Sequence, residues 1–278
     1  MIEHPANPTR NRGFSILEMA FFIAIAGLLI SASLGRAQLP SYPRDGDTTQ
    51  ALAALQQQVT DAVIEYARRY HRLPCADTDG ITAEDEGAAD GIEGTQKDGC
   101  GAASESRFGY VPFATLGLQT PNSQQADYYR RLRYAVYRSD QADLVRPWHT
   151  LSGKAAPAPG PQRARNLLLY TLRIASTQPL DPTNAYLTGD DGALGTIDCA
   201  SNPVTNVAFL ILSTGARDAD RQDLSPDIAL FDGPHQHLSA EVRCFAAPST
   251  PTTEHYDDTV TAIGFNRLAG ELLTVGRR

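Results

Sequence analysis

Gly13-Phe14-Ser15-Ile16-Leu17-Glu18 opens an apolar run that continues from Met19 to Leu34. Phe14 to Leu34 spans 21 residues, and Glu18 is the only charged one among them. At about 1.5 Å rise per residue, a helix of that length crosses a hydrocarbon core about 30 Å thick. A charged side chain at membrane depth costs about 2.5–3.5 kcal/mol on insertion scales, so it is normally found with a partner. Glu18 therefore asks for a cation. A cut between Gly13 and Phe14 supplies one, because the new α-ammonium stands four residues ahead of Glu18. On a neighbouring parallel helix that ammonium is within reach of the carboxylate. Pairing the two across subunits removes two costly charges together and sets an axial offset between the subunits.

Three plainer readings compete. A secretory signal keeps its apolar run short, has no acid there, and is cut after the run, here near Ser31-Ala32-Ser33. An uncleaved membrane anchor leaves Glu18 without a reason. A soluble core helix is rarely this long with a single charge. The Gly-Phe junction, Glu as the fifth residue after it, and the unbroken apolar helix resemble the N-terminus of type IV pilins and type II secretion pseudopilins. The resemblance implies that a prepilin peptidase cuts after Gly13 on the cytoplasmic side and methylates Phe14. It also implies that Glu18 serves assembly with other pilin or pseudopilin subunits.

Composition fits an exported, anchored protein. The chain has 278 residues, enough for one large domain or two small ones. Its formal charge of −8 and pI of about 5.2 argue against general nucleic-acid binding, which wants a basic face. Arg10 and Arg12 flank the apolar run on its N-terminal side and orient that side to the cytoplasm. Everything after Arg36 then lies outside, and the resemblance implies a single-pass inner-membrane protein with a periplasmic head. Four cysteines, Cys75, Cys100, Cys199 and Cys244, suit an oxidising compartment. They allow three connectivities, with sequential pairing as the working expectation. Neither sequential pair has C-x-x-C spacing, so zinc and thioredoxin-type redox chemistry are weak readings.

Along the chain, residues 1–13 are a polar leader and 14–36 the transmembrane and assembly helix. Leu39-Pro40-Ser41-Tyr42-Pro43-Arg44-Asp45-Gly46-Asp47 breaks a helix, which places a hinge at 37–47. Pilins usually continue here as one long rod, and this chain departs from that pattern. Asp47 or Thr48 can cap a helix over 49–71. On it Leu52, Leu55, Val59, Val63, Tyr66 and Tyr70 form one stripe, while Gln56, Gln57, Asp61, Arg68 and Arg69 fall largely elsewhere. The stripe is a packing face for a sheet in the head, which spans 48–278 with its globular part from 72 onward.

Asp, Glu and Gly dominate residues 77–99, so a surface loop held by its ends is expected there. Asp77, Asp79, Glu84, Asp85 and Glu86 offer oxygens to Ca²⁺, but Ile81 sits where an EF-hand needs its third ligand. Asp77 and Asp79 are thus weak calcium candidates, set against a solvated acidic loop. Leu132 to Val136 alternates as a half-buried strand, with Arg131 and Arg133 on its outer face. Leu-Pro-Cys at 73–75, Gly-Tyr-Val-Pro-Phe-Ala-Thr-Leu-Gly-Leu at 109–118 and Leu-Arg-Tyr-Ala-Val at 132–136 resemble the heads of a subgroup of bacterial minor pilin-like proteins. Ala76 stands where that pattern often has Pro.

Residues 152–165 read as a flexible connection rich in Pro and Ala. Leu167 to Ile174 and Val204 to Ser213 read as strands. Ser213 leads into a turn like the Ser-x-Gly loop of the same subgroup, and no G-x-S-x-G elbow surrounds it to make a nucleophile. His235-Gln236-His237 follows Asp232-Gly233-Pro234 and reads as an exposed surface pair rather than a metal site, since no third ligand is identifiable by spacing. His71 and His149 are isolated. Asp257-Asp258, an alternating strand to Ile263 and a short helix over Asn266–Val275 resemble the end of that subgroup.

The expected fold is α+β: a membrane helix, a hinge, then an amphipathic helix packed on an antiparallel sheet with disulfide-tied loops. The expected function is that of a minor pilin or pseudopilin, with no catalytic residues and no cofactor, incorporated into a pilus or a type II secretion pseudopilus. A head this large is easier to place at a tip than throughout a packed shaft. The alternative is a periplasmic binding module or enzyme on a pilin-like anchor. A DNA-uptake subunit would need a local basic patch around Arg130, Arg131 and Arg133.

Overall fold

The computed structural model describes residues 45–79, 89–95, 99–102, 105–118, 129, 131–148, 160–178, 184, 186–188, 203–204, 206–217, 231–232, 235 and 244–274. All belong to the compact unit that starts at Asp45. Gly13, Phe14 and Glu18 lie outside the described residues, as does the whole apolar run. Among the described residues no helix is long and apolar enough to cross a membrane.

Helix α1 runs Asp45–Tyr70. It starts before the expected cap at Asp47 or Thr48, so Asp45, Gly46 and Asp47, expected in the hinge, form its first turn. It ends where His71 turns left-handed at φ 56° and its N–H bonds to the Ala67 carbonyl at 2.9 Å. Leu52, Val59, Val63 and Tyr66 of the expected stripe are buried, and Tyr70 is exposed. Gln56 was placed off the stripe, yet it is buried one turn before Thr60. Its amide donates to the carbonyls of Ile211 at 2.8 Å and Thr259 at 3.2 Å. A polar side chain thus pins the helix across two strands at little desolvation cost, because its donors are used.

The main sheet has four antiparallel strands in the order β1 (Phe108–Tyr110), β2 (Leu132–Val136), β5 (Phe209–Ser213), β7 (Thr259–Ile263). Tyr134 pairs with Ile211, and Ile211 with Thr261. A smaller sheet places β3 (Tyr186–Thr188) between β4 (Pro203–Val204) and β6 (Cys244–Phe245). Its β3–β6 pairing is parallel, the one departure from the expected antiparallel arrangement among the described strands. The run expected as one strand over Val204–Ser213 is divided between β4 and β5.

Both faces of the main sheet are covered. Leu132, Tyr134, Val136, Phe209 and Ile211 share a core with Val59, Val63 and Ala67 of α1. By the period-2 alternation of strands, Ala135, Leu210, Leu212 and Val260 face the other way, into a second core with Phe108, Phe231 and Phe245. Every residue of β2 and β5 is therefore buried, and the half-buried reading of β2 is corrected. Arg133 is buried too, its guanidinium 4.1 Å from the centroid of Tyr110 and 5.1 Å from that of Phe231. It cannot contribute to an exposed basic patch.

A second correction concerns Leu167–Ile174, which lies in helix α2, Pro161–Ala175, and not in a strand. Its buried residues are Ala164, Leu167, Leu168, Thr171, Leu172 and Ala175, a helical repeat. Leu favours helix, and Pro161 in the first turn fits a helix start. Residues 161–165, expected in the flexible connection, are the start of that helix. Helix α3, Phe265–Thr274, lies against α1 and α2 and follows β7 almost as expected. Arg68 of α1 reaches Glu271 Oε2 at 2.7 Å across that junction.

Candidate functional site

The segment after α1 is tied to the segment before β1 by the Cys75–Cys100 disulfide, with Cα atoms 5.8 Å apart and a sequence separation of 25. Closing a loop of that size stabilises by roughly 3 kcal/mol in the chain-entropy model. Cys244 is disulfide-bonded as well, and Cys199 lies outside the described residues. Glu93 gathers the donors around the first bridge. It takes both terminal guanidinium nitrogens of Arg72, the Cys75 N–H at 3.1 Å and the Tyr66 hydroxyl at 3.2 Å. Burial pushes the Tyr66 phenol well above its ordinary range. Arg138, fully buried, grips Asp143 through Nε at 3.1 Å and Nη2 at 2.9 Å. Its Nη1 donates to the carbonyls of Cys100 and Glu105 at 2.6 and 2.7 Å. These contacts engage all three guanidinium nitrogens of Arg138 and give it a structural role.

The acidic loop is less solvated than its composition implies. Asp77 and Asp79 are buried, and so are Gly91 and Gly94. Asp77 bridges by backbone to Gly94 on one side and Tyr110 on the other, which knits the loop to the edge of the sheet. Asp77, Asp79 and Asp90 bring one oxygen each within 4.8 Å of one another. Both Asp77 oxygens accept backbone amides, Oδ1 from Asp79 at 3.1 Å and Oδ2 from Gly91 at 2.8 Å. Burial raises the Asp77 carboxyl to about 7 even though those amides favour the charged form. Glu84, Asp85 and Glu86 lie outside the described residues.

A second set of carboxylates sits beyond the far face of the sheet, where the turn after β5 meets the approach to β7. Asp232, Asp257 and Asp258 are all buried and also bring one oxygen each within 4.8 Å of one another. Asp257 N–H donates to Asp232 Oδ2 at 2.8 Å, and Asp232 N–H to Asp258 Oδ2 at 3.0 Å. Asp257 Oδ2 accepts from the Arg217 amide at 3.1 Å. Gly215 makes room for that carboxylate: a Cβ there would sit 1.6 Å from Asp257 Oδ1.

His235 closes the set. It is fully buried, contrary to the exposed surface pair expected from Gly233-Pro234, and its neighbour His237 lies outside the described residues. Nε2 accepts the Ala246 N–H at 3.2 Å, so the ring proton is on Nδ1, which donates to Asp258 Oδ2 at 2.8 Å. Burial pulls the imidazole down to about 3, and it stays neutral. With both nitrogens engaged, His235 has none left for a metal or a proton transfer. Burial and the three carboxylates together push the Tyr256 phenol far above its usual range. Ser213 is buried and donates to the Thr214 carbonyl at 3.0 Å.

The structure thus joins Cys75 to Cys100, as sequential pairing expected, and places Asp77, Asp79 and Asp90 near one another. It also assembles a carboxylate group that the sequence did not announce. In the sequence Asp232 is only the residue ahead of Gly233-Pro234, and Asp257-Asp258 only part of a likeness to the end of the pilin-like subgroup. The one signal for that group was an Asp-Asp pair immediately ahead of an apolar strand. No family model, curated protein or solved structure matches the chain.

Proposed function

We propose that the protein is a minor pilin or pseudopilin, a structural subunit anchored in the inner membrane with its head in the periplasm. The observation that carries the reading is Glu18, a lone acid five residues after the Gly13–Phe14 junction in a run of 21 residues otherwise free of charge. A carboxylate there is tolerable when a neighbouring subunit's α-ammonium neutralises it, and cleavage after Gly13 creates that ammonium. The head agrees with such a subunit. Its leading helix α1 packs on an antiparallel sheet, and its disulfide suits an oxidising compartment. Mass spectrometry of the protein purified from its native host is the test. The expected N-terminal peptide begins at Phe14 and carries one added methyl group. A chain starting at Met1, or downstream of Leu34, would overturn the reading.

A further inference from the structure

Strand β7 stands at one end of the main sheet, and its outer edge is open. The other end is covered: Asp77 exchanges backbone hydrogen bonds with Tyr110 of β1 at 3.1 and 2.8 Å. The bonding phase of β7 follows from that of β5. Tyr137 N–H donates to the Ala208 carbonyl and Thr214 N–H to the Arg131 carbonyl, so the even-numbered positions 208 and 214 bond toward β2. Leu210 and Leu212 follow them by alternation. Phe209, Ile211 and Ser213 therefore bond toward β7, to their partners Ile263, Thr261 and Thr259. Val260 and Ala262 are left with N–H and C=O pointing away from the sheet, and no backbone group among the described residues meets them. Thr259 is exposed and Thr261 and Ala262 are partly exposed, whereas every residue of β2 and β5 is buried.

We propose that this edge pairs with the same edge of a second copy of the chain, β7 antiparallel to β7 about a two-fold axis between the two Thr261 residues, so that two heads share one continuous sheet. The pairing concerns the head alone and stands whether or not the chain is a filament subunit.

Open edges are templates for strand addition, and proteins ordinarily blunt them with Lys, Pro or a covering segment. Thr259-Val260-Thr261-Ala262-Ile263 carries no charge and no Pro, and it is rich in β-branched residues that favour strands. A head-to-tail contact between sheets needs two open edges. Asp77 occupies one of them, so two copies join through the sheet only edge to like edge, an isologous contact that closes on itself. The strand suits its own partner. In the register of full overlap Thr259 faces Ile263 of the second copy, Val260 faces Ala262, and Thr261 faces Thr261. Val260 and Ala262 then form a pair that exchanges both N–H···O bonds, which engages the groups left open in the single chain. Charge selects the same orientation. Exposed Glu254 precedes the strand and exposed Arg267 follows it, so antiparallel pairing sets the acidic approach of one copy toward the basic exit of the other. Parallel pairing would bring like charges together.

The test uses the full chain, purified in detergent and also left in native-host membranes. Sedimentation at micromolar concentration should give two chains per particle. Ala262→Pro removes an outward N–H and no bond to β5, so it should raise the dissociation constant at least about tenfold. At a dilution where both are monomeric, that variant should keep the wild-type unfolding transition. Thr261→Cys gives a second readout. Facing residues at such a position stand about 4.5 Å apart by Cα, inside the disulfide range of about 4.4–6.8 Å, so oxidised membranes should yield a linked dimer. Thr259→Cys lies about 14 Å from its own mate in this register and should not link. Mass spectrometry of the Thr261→Cys band should find this chain alone. A wild-type monomer, or a dimer that Ala262→Pro does not weaken, would overturn the proposal. So would a missing Thr261→Cys band, one that holds a different protein, or equal linking through Thr259→Cys.

Discussion

Asp77 holds two amide hydrogens in a place closed to water, and the two demands pull its proton in opposite directions. Burial wins, and the carboxyl titrates near 7. A folded-state value above the unfolded one near 3.8 means that the native chain binds the proton more tightly. Stability from this group is therefore full below about pH 4 and is lost as pH rises through about 7, at up to about 1.4 kcal/mol per pH unit. Urea unfolding between pH 4 and 8 should show that decline in the wild type and a flatter curve in Asp77→Asn. Parallel curves would mean that the site is wetter than it looks. Gly94 in the same loop stands at φ +85°, and a Cβ there would lie 2.1 Å from the Gly99 carbonyl. Backbone cannot step aside as a side-chain tip can. Gly94→Ala should cost at least about 2 kcal/mol in urea unfolding, from left-handed strain plus the clash.

Among the elements, the ones legible in sequence were those whose pattern has a single reading. Leu132–Val136 alternates around Arg133 and Phe209–Ser213 is a short apolar run, and both are strands. Asn166-Leu167-Leu168-Leu169-Tyr170 was ambiguous, because three adjacent leucines satisfy a strand and a helix equally. The burial of Ala164, Thr171 and Ala175, small residues that carry little hydrophobic signal, decided the period. Arg133 was misplaced for a related reason: a charged residue on an alternating strand looks outward until aromatic rings close over it. The Asp258–His235 pairing spans 23 positions and obeys no local period, so only the fold could bring the two together. Arg138 extends the same logic to energetics. It joins the end of β2 to the disulfide loop through Asp143 and two carbonyls, all in the interior. Arg138→Met keeps the apolar stem but leaves Asp143 buried without its cation, an imbalance worth about 3–5 kcal/mol. Chemical unfolding should show that loss. The double variant Arg138→Met with Asp143→Leu should recover much of it, since removing both partners of a buried pair is often near neutral.

For the whole molecule, the proposed assembly separates two roles that one apolar helix would otherwise combine. Insertion depends on the summed hydrophobicity of Phe14–Leu34, and for that Glu18 is a handicap. In the proposed assembly, incorporation into a filament depends on a charge pair between Glu18 and the ammonium of the next subunit. Glu18→Ala should therefore pull the two apart. The variant should fractionate with the inner membrane at least as completely as the wild type, because a cost of about 2.5–3.5 kcal/mol has been removed. Its α1 helix, main sheet and Cys75–Cys100 bridge are built from residues from Asp45 onward, so the head should keep its melting temperature. Recovery in sheared filament or pseudopilus fractions should fall at least roughly tenfold, the equivalent of about 1.4 kcal/mol lost per subunit contact. Glu18→Asp, with its shorter reach, should fall between the two. Equal recovery of Glu18→Ala and wild type would show that the acid does not join subunits, and the reason for a lone charge in that run would have to be sought elsewhere.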